Sequence, residues 1–580
     1  MTMVPRDAVP AFDRRFFDGV DAVSRIGEGE LGGKAASLVL MARDILGRFD
    51  GAACPGIRVD VPRLVVLTTD VFRAFVDQNG LADAVYGGAP DDRIAHACQR
   101  AELPAQFVGD LRALIAGVHS PLAVRSSSLL EDALAHPFAG VYATKMIPNN
   151  QHDPDIRFRK LVEAVKFVIA STFFRQPRDY MRSIERDPRE EAMAVVVQEV
   201  VGLRCGDLFY PSLSGVGRSY SYYPIGRARP EDGVVNLALG LGKAIVDGGL
   251  TWSYSPARPR VGPPFNGLGD MVKNTQTSFW GVNMGTPPPP DPVRETEFLV
   301  QADLARAEAD GALDHVVSTF DPASNRLRCG LLPGGARVLD FSPILDAGVL
   351  PLNAAVKQLL GLAKAALGAD VEIEFALTFG QGGEPARLGL LQARPMQVAV
   401  GEVAVGEDEL DAPGVLLASE IVLGHGARAD LQDVVYVKPG AFEARHTPRI
   451  AAELERINVD LQARRRPYLL IGFGRWGSSD PWLGVPVDWS QISQARCLVE
   501  ATLPDMSPDL SQGSHFFHNL ISFGVQYLSV PHTGGRAVDW AWLDALPAEH
   551  EGDLVRHVRT PRPLDVRVDG HARRGVIRHD

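Results

Sequence analysis

Residues 124–149 read VRSSSLLEDALAHPFAGVYATKMIPN. Arg125 is followed by three hydroxyls, Ser126, Ser127 and Ser128, then by two acids, Glu131 and Asp132. A turn follows at Pro137, Phe138, Ala139 and Gly140. The apolar lead-in, Pro121 to Val124, predicts a short buried strand, with a fixed cation and a row of hydroxyl and amide donors at its end. Arginine offers a planar fork of donors, and small residues let backbone N–H groups approach, so the stretch suits phosphate oxygens. The competing reading is a strand, a serine-rich turn and an exposed acidic pair.

The order of these residues is similar to the Val-Arg-Ser-Ser, Glu-Asp, Phe-Ala-Gly signature of the pyruvate phosphate dikinase and phosphoenolpyruvate synthase family. Val124, Arg125, Ser126, Ser127, Glu131, Asp132, Phe138, Ala139 and Gly140 carry the match. The resemblance implies an ATP-grasp nucleotide domain, and the rest of the chain can be set beside it.

Residues 26–43, IGEGELGGKAASLVLMAR, run from a glycine-rich turn into a helix. Gly27, Gly29 and Gly32 spell GxGxxG, but no buried strand is expected before them, which speaks against a dinucleotide fold. A Walker loop is excluded by Glu28 and Ala35. The Gly32, Gly33, Lys34 and Leu38 pattern resembles the family's Gly-Gly-Lys element, whose lysine reaches nucleotide phosphates. A solvated lysine at a helix start is the alternative. Residues 61–76 predict a strand, a Thr68-Thr69-Asp70 helix cap and a helix.

Residues 192–201, AMAVVVQEVV, predict a buried strand ending near Gln198. The family's adenine hinge is similar. Residues 239–248, LGLGKAIVDG, resemble a further glycine-rich family element in which Lys243 stands where a glutamate is expected. Residues 371–379, VEIEFALTF, and 388–397, LGLLQARPMQ, predict a hairpin. Glu372 and Glu374 share one face by the two-residue period, as do Gln392 and Arg394. Carboxylate and amide oxygens are hard ligands suited to magnesium. By resemblance, Glu374 and Gln392 would hold Mg2+ and Arg394 would meet phosphate. An edge hairpin with salt-bridged charges is the plain alternative.

Residues 400–413 are acidic and lose the periodic pattern, which predicts a linker. Beyond it, residues 511–531, SQGSHFFHNLISFGVQYLSVP, place His515 ahead of an amphipathic segment, with a strand from Val525 to Val530. An imidazole nitrogen is a competent nucleophile toward phosphorus. The run resembles the phosphohistidine segment of the family's swivelling domain, which implies His515 as a phosphoryl carrier. Phe516, Phe517 and Gln526 depart from that pattern, and His518 is the rival. Gly472, Gly474 and Gly477 spell a second GxGxxG, read as a weak dinucleotide signal or a tryptophan-rich turn. Seven arginines after residue 555 suggest a short basic hairpin able to pair with the acidic body or an acidic partner.

The chain has 580 residues, 46% hydrophobic and 22% charged, with a net charge of −12. That charge argues against generic nucleic-acid binding. Five scattered cysteines form no CxxC pair, against a zinc site or disulfide framework. No secretory signal is read at the start and no run suits a membrane span, so a cytoplasmic location is expected. The expected fold is α+β: ATP-grasp lobes at 1–200 and 201–400, a linker at 401–413, a swivelling-type domain at 414–545 and a basic extension at 546–580. No stretch resembles the family's pyruvate-binding barrel. The expected function is ATP- and Mg2+-dependent phosphoryl transfer through His515 to an unidentified small molecule or protein, with Lys34, Arg125, Gln198 and Arg394 on the nucleotide. A non-catalytic ATP-binding sensor or scaffold is the alternative, and an ATP-grasp ligase a third.

Overall fold

The computed structural model describes the chain apart from residues 1–7, 15–21, 130–141, 184–185, 222–223, 226, 248, 264, 266–267, 274, 397–402, 479–481, 505–524, 533–535 and 580. Helix and strand are mixed throughout, an α+β composition. Two compact units emerge: Met1–Ser219 with Ile225–Met396, and Gln397–Asp580 with Tyr220–Pro224.

Among the described residues, two sheets organise the first unit. A five-stranded sheet runs in the order Val23–Ile26, Leu64–Leu67, Met193–Glu199, Leu122–Ser128, Thr144–Ile147. A six-stranded sheet runs Trp252–Tyr254, Val234–Ala238, Leu213–Arg218, Val371–Thr378, Ala386–Pro395, Ile57–Asp60. Ile57–Asp60 pairs in parallel with Ala386–Pro395, so the expected boundary at residue 200 is crossed by the sheet itself. On Val371–Thr378 the alternation is used as predicted. Val371, Ile373 and Phe375 join the core with Val356, Leu359 and Leu360 of the Leu352–Leu367 helix. That leaves Glu372 and Glu374 on the opposite face.

The helix Gly33–Leu40 lies against both sheets. Ala35 donates from its amide to Ser127 Oγ at 3.0 Å, and Ser37 Oγ donates to the Ala393 carbonyl. Ala35, Leu38 and Val39 are buried in the core, and a fully buried leucine contributes roughly 1.5–3 kcal/mol. Gly32 makes the approach possible. Its φ is +75°, and a Cβ there would stand 1.9 Å from the Ser127 carbonyl oxygen.

The turn before this helix differs from expectation. A strand, Val23–Ile26, does precede the first GxGxxG; its middle residues are only half-buried, which hid it from the apolar pattern. The glycines serve internal packing. A Cβ at Gly27 would meet Thr68 Oγ1 at 2.1 Å. Thr68 makes no side-chain cap bond to the Thr69–Gln78 helix. Instead Asp70 accepts from the Glu28 and Gly29 amides, each at 2.9 Å, and Thr69 Oγ1 accepts from the Glu30 amide at 2.9 Å. The Thr-Thr-Asp segment is therefore a clasp for the 27–30 turn.

The second unit is built on a sheet of nine strands among the described residues. Gly426–Val437, Tyr468–Phe473, Ala495–Ala501 and Gln526–Val530 are adjacent and parallel, with the helix Thr447–Ala463 connecting the first two. Val555–Asp569 pairs with Gly426–Val437, and Arg574–Arg578 with Val555–Asp569, so the hairpin expected at the C-terminal end is inside this sheet and the boundary at 546 divides nothing. The acidic stretch is likewise not a free linker from 403 onward. Val405 and Leu410 bury with Ala418 and Val576, and Glu409 pairs with Arg567 and Arg578. Two apolar side chains in an acidic run suffice to dock it, and the late arginines supply its counter-charges.

The second GxGxxG is also spent on the fold. The amides of Gly474, Arg475 and Gly477 donate to the carbonyls of Ala501, Leu483 and Val485. The Trp476 amide donates to Glu500 Oε1 at 2.8 Å. Trp476 is buried and Trp482 is 77% exposed, so only one tryptophan packs the turn.

Candidate functional site

The strand Leu122–Ser128 is longer than the sequence suggested. Ser126, Ser127 and Ser128 lie within it, fully buried, and not in a turn. Burying a hydroxyl is costly without a partner, and each has one. Ser126 Oγ accepts from Lys34 Nζ at 3.0 Å. Ser127 Oγ donates to the Leu31 carbonyl at 2.9 Å. Ser128 Oγ donates to Glu191 Oε2 at 3.3 Å, and Tyr142 OH donates to the same oxygen at 2.8 Å. The hydroxyl row thus holds Lys34 on the Arg125 strand, through Ser126, and ties the strand to its neighbours.

Arg125 gathers most of the remaining candidates. Nη1 donates to the Leu391 carbonyl at 2.8 Å and to Gln198 Oε1 at 3.4 Å. Nη2 donates to Gln392 Oε1 at 3.1 Å and stands 3.5 Å from Glu374 Oε2. Gln198 also donates to the Pro62 carbonyl at 3.3 Å. Glu374 and Gln392 face each other in the hairpin ladder, and Glu372 faces Arg394 in the next row but one. Arg125, Gln198, Glu374 and Gln392 therefore converge where the five- and six-stranded sheets meet, and Lys34 is tied to the Arg125 strand through Ser126.

Arg394 is held differently. It is 6% exposed, and its Nε donates to Glu372 Oε1 at 2.7 Å. Glu372 takes Arg218 on its other oxygen at 2.6 Å. Sequence reasoning missed Arg218, which carries no motif and sits opposite Glu372 on the neighbouring strand. Two guanidiniums on one buried carboxylate leave a net positive row beside Glu374. His515 and His518, together with Glu131, Asp132, Phe138, Ala139 and Gly140, lie outside the described residues.

Glu374 and Gln392 offer one carboxylate and one amide oxygen side by side. This donor set fits Mg2+, which prefers oxygen and keeps waters and substrate phosphates as its other ligands. Among the described residues, no three His, Cys, Asp or Glu side chains form a metal cage.

Residues 28–411 match the family described as pyruvate phosphate dikinase, AMP/ATP-binding domain. The chain belongs to that family. The match covers more than half of the chain and spans Lys34, Arg125, Gln198, Glu374, Gln392 and Arg394. The chain is also 29% identical over 261 residues to a phosphoenolpyruvate synthase of Aeropyrum pernix, an alignment covering 41% of this chain. The chain spans only 28% of that relative's length. Membership of this family supports ATP as the ligand and phosphotransfer as the broad class of chemistry. Among the described residues, no helix is long and apolar enough to cross a membrane.

Proposed function

We propose that the chain is an ATP- and Mg2+-dependent phosphotransferase whose first unit grips ATP between its five- and six-stranded sheets in the ATP-grasp manner. The single observation that carries this is Arg125 bridging Gln198, Gln392 and Glu374 across the two sheets. Lys34 and Arg125 would take the nucleotide phosphates, with Arg394 oriented toward them by Glu372. Gln198 would sit toward the base-binding edge. Charge-assisted contacts of this kind hold transferring phosphoryl groups and neutralise the charge that develops on them. Glu374 and Gln392 would hold the magnesium ion. The chemistry that ion supplies when bound is neutralisation of phosphate charge.

His515 would take the β-phosphoryl group as its bond to AMP breaks, water would take the γ-phosphoryl group and leave as phosphate, and the phosphoryl group left on His515 would pass to an acceptor that is a small molecule or a protein. The A. pernix relative is a phosphoenolpyruvate synthase by name, which makes pyruvate the first acceptor to try. Product analysis after incubation with ATP and magnesium tests the proposal. AMP with phosphate supports it. ADP with an acyl phosphate favours a ligase, and nucleotide binding without turnover favours a sensor or scaffold.

A further inference from the structure

Away from the nucleotide site, the first unit holds a cavity of about 700 Å³, within the usual size of small-molecule sites. Three elements wall it: the helix Thr69–Gln78, the short helix Ala82–Tyr86, and the turn Pro188–Glu190 with Glu191 after it. Phe72 and Val76, one helical turn apart, are buried in its lining, and Tyr86 is half-buried beside them. Phe173 backs both rings, stacked on Phe72 at 5.6 Å between ring centres and edge-on to Tyr86 at 5.3 Å. The aromatic floor is thus held by its own packing.

The rim carries both signs of charge. Arg73 and Asp77 lie on the exposed side of the first helix, Asp83 comes from the second, and Arg189 and Glu190 come from the turn. Arg73, Asp77, Asp83 and Glu190 make no ion pair or side-chain hydrogen bond among the described residues. The Arg189 guanidinium lies 5.7 Å from the Tyr86 ring centre. Burial raises the pKa of the Tyr86 phenol; Arg189 opposes the rise, and Asp187, Asp77 and Glu191 add to it. Carboxylates and a guanidinium therefore surround one aromatic ring. A molecule suited to this lining has an aromatic body for Phe72 and Tyr86, an ammonium for the carboxylates and a carboxylate for the Arg189 fork. An aromatic of a single charge would leave one sign of the rim unmet.

The walls lead to the nucleotide site. The Thr69–Gln78 helix begins at the Thr69 and Asp70 clasp on the 27–30 turn, just ahead of Lys34. Glu191 Oε2 accepts from Ser128 Oγ at 3.3 Å and so joins the cavity to the Arg125 strand. Its Oε1 accepts from the Ala192 amide at 2.9 Å, at the head of the strand that carries Gln198.

We propose that this cavity binds a small zwitterion with an aromatic body, of the aromatic amino acid class, as an effector of the nucleotide site. Ligand binding stands on the cavity's own lining; the coupling rests on the nucleotide site proposed above.

Calorimetric titration of the full chain tests both parts. The probes are L-phenylalanine, L-tyrosine and L-tryptophan, each beside the ethylamine and the propionate of the same ring, first without nucleotide. At least one amino acid should bind, about tenfold or more tighter than its own amine and propionate. Asp77→Asn, Asp83→Asn and Arg189→Gln should each weaken it about threefold to tenfold, with ATP affinity measured alone unchanged. Saturating amino acid should then shift ATP affinity by about fivefold or more, and saturating ATP should shift amino acid affinity by the same factor. Binding by none of the three, equal binding of an amine or propionate, or parental affinity in all three variants overturns the ligand assignment. ATP affinity identical with and without the bound amino acid overturns the effector role. A chain that binds the amino acid but no ATP contradicts the proposed function instead, and upholds the cavity as a ligand site.

Discussion

The Arg125 guanidinium donates to the Gln392 side-chain oxygen at 3.1 Å across 267 positions of sequence. That bond joins the second strand of the closing hairpin to the strand that opens the Arg-Ser stretch. A contact between ionised and neutral groups of this kind is worth roughly 1.5–3 kcal/mol. It makes the two motifs parts of one site.

The metal assignment predicts a shift in magnesium dependence. Glu374→Gln and Gln392→Ala should each raise the Mg2+ concentration for half-maximal ATP turnover by about tenfold or more, with far-ultraviolet circular dichroism unchanged. Turnover measured across a magnesium series checks this, and parental dependence in both variants makes the pair purely structural.

Glu500 in the second unit predicts a pH dependence of stability. Burial pushes its pKa up to about 7, against the opposing bonds from Tyr527 and the Trp476 amide and the charge of Arg475. The folded state therefore holds a proton that the unfolded chain releases at lower pH. This contribution is fully present below the unfolded glutamate pKa and is lost as pH rises toward 7, amounting to roughly 3 kcal/mol. The thermal midpoint should fall between pH 5 and 8, and Glu500→Gln should flatten that slope. A variant with the parental slope would remove Glu500 as its source.

The carrier role proposed for His515 predicts one phosphate gained on incubation with ATP and magnesium alone, stable at alkaline pH and lost in mild acid. His515→Ala should abolish the gain without weakening ATP binding, and His518→Ala should not. Intact mass at alkaline pH reads the result; a gain unaffected by His515→Ala reassigns the carrier.

The closing hairpin, the Lys34 helix and the Arg125 strand were legible because each announces itself locally. Alternation marks the hairpin, glycines precede the helix, and an apolar run leads into Arg125. What the sequence hid was pairing at a distance. Nothing near Ser126–Ser128 says that a row of serines is buried, since their partners come from two distant segments, Leu31 and Lys34 from one and Glu191 from the other. Glu372 and Glu374 share a face as read, yet one is consumed by Arg218 and Arg394 while the other meets Arg125. The acidic stretch looked like a linker because Val405 and Leu410 are too few to give a period.

The most direct measurement of the central claim is calorimetric titration of the parent, Lys34→Ala and Arg125→Ala with ATP and with adenosine. ATP affinity should fall by about one to two decades in each variant, while adenosine affinity stays within about threefold of the parent. Unchanged ATP affinity in both variants, with folding intact, would contradict the assignment of Lys34 and Arg125 to nucleotide phosphates.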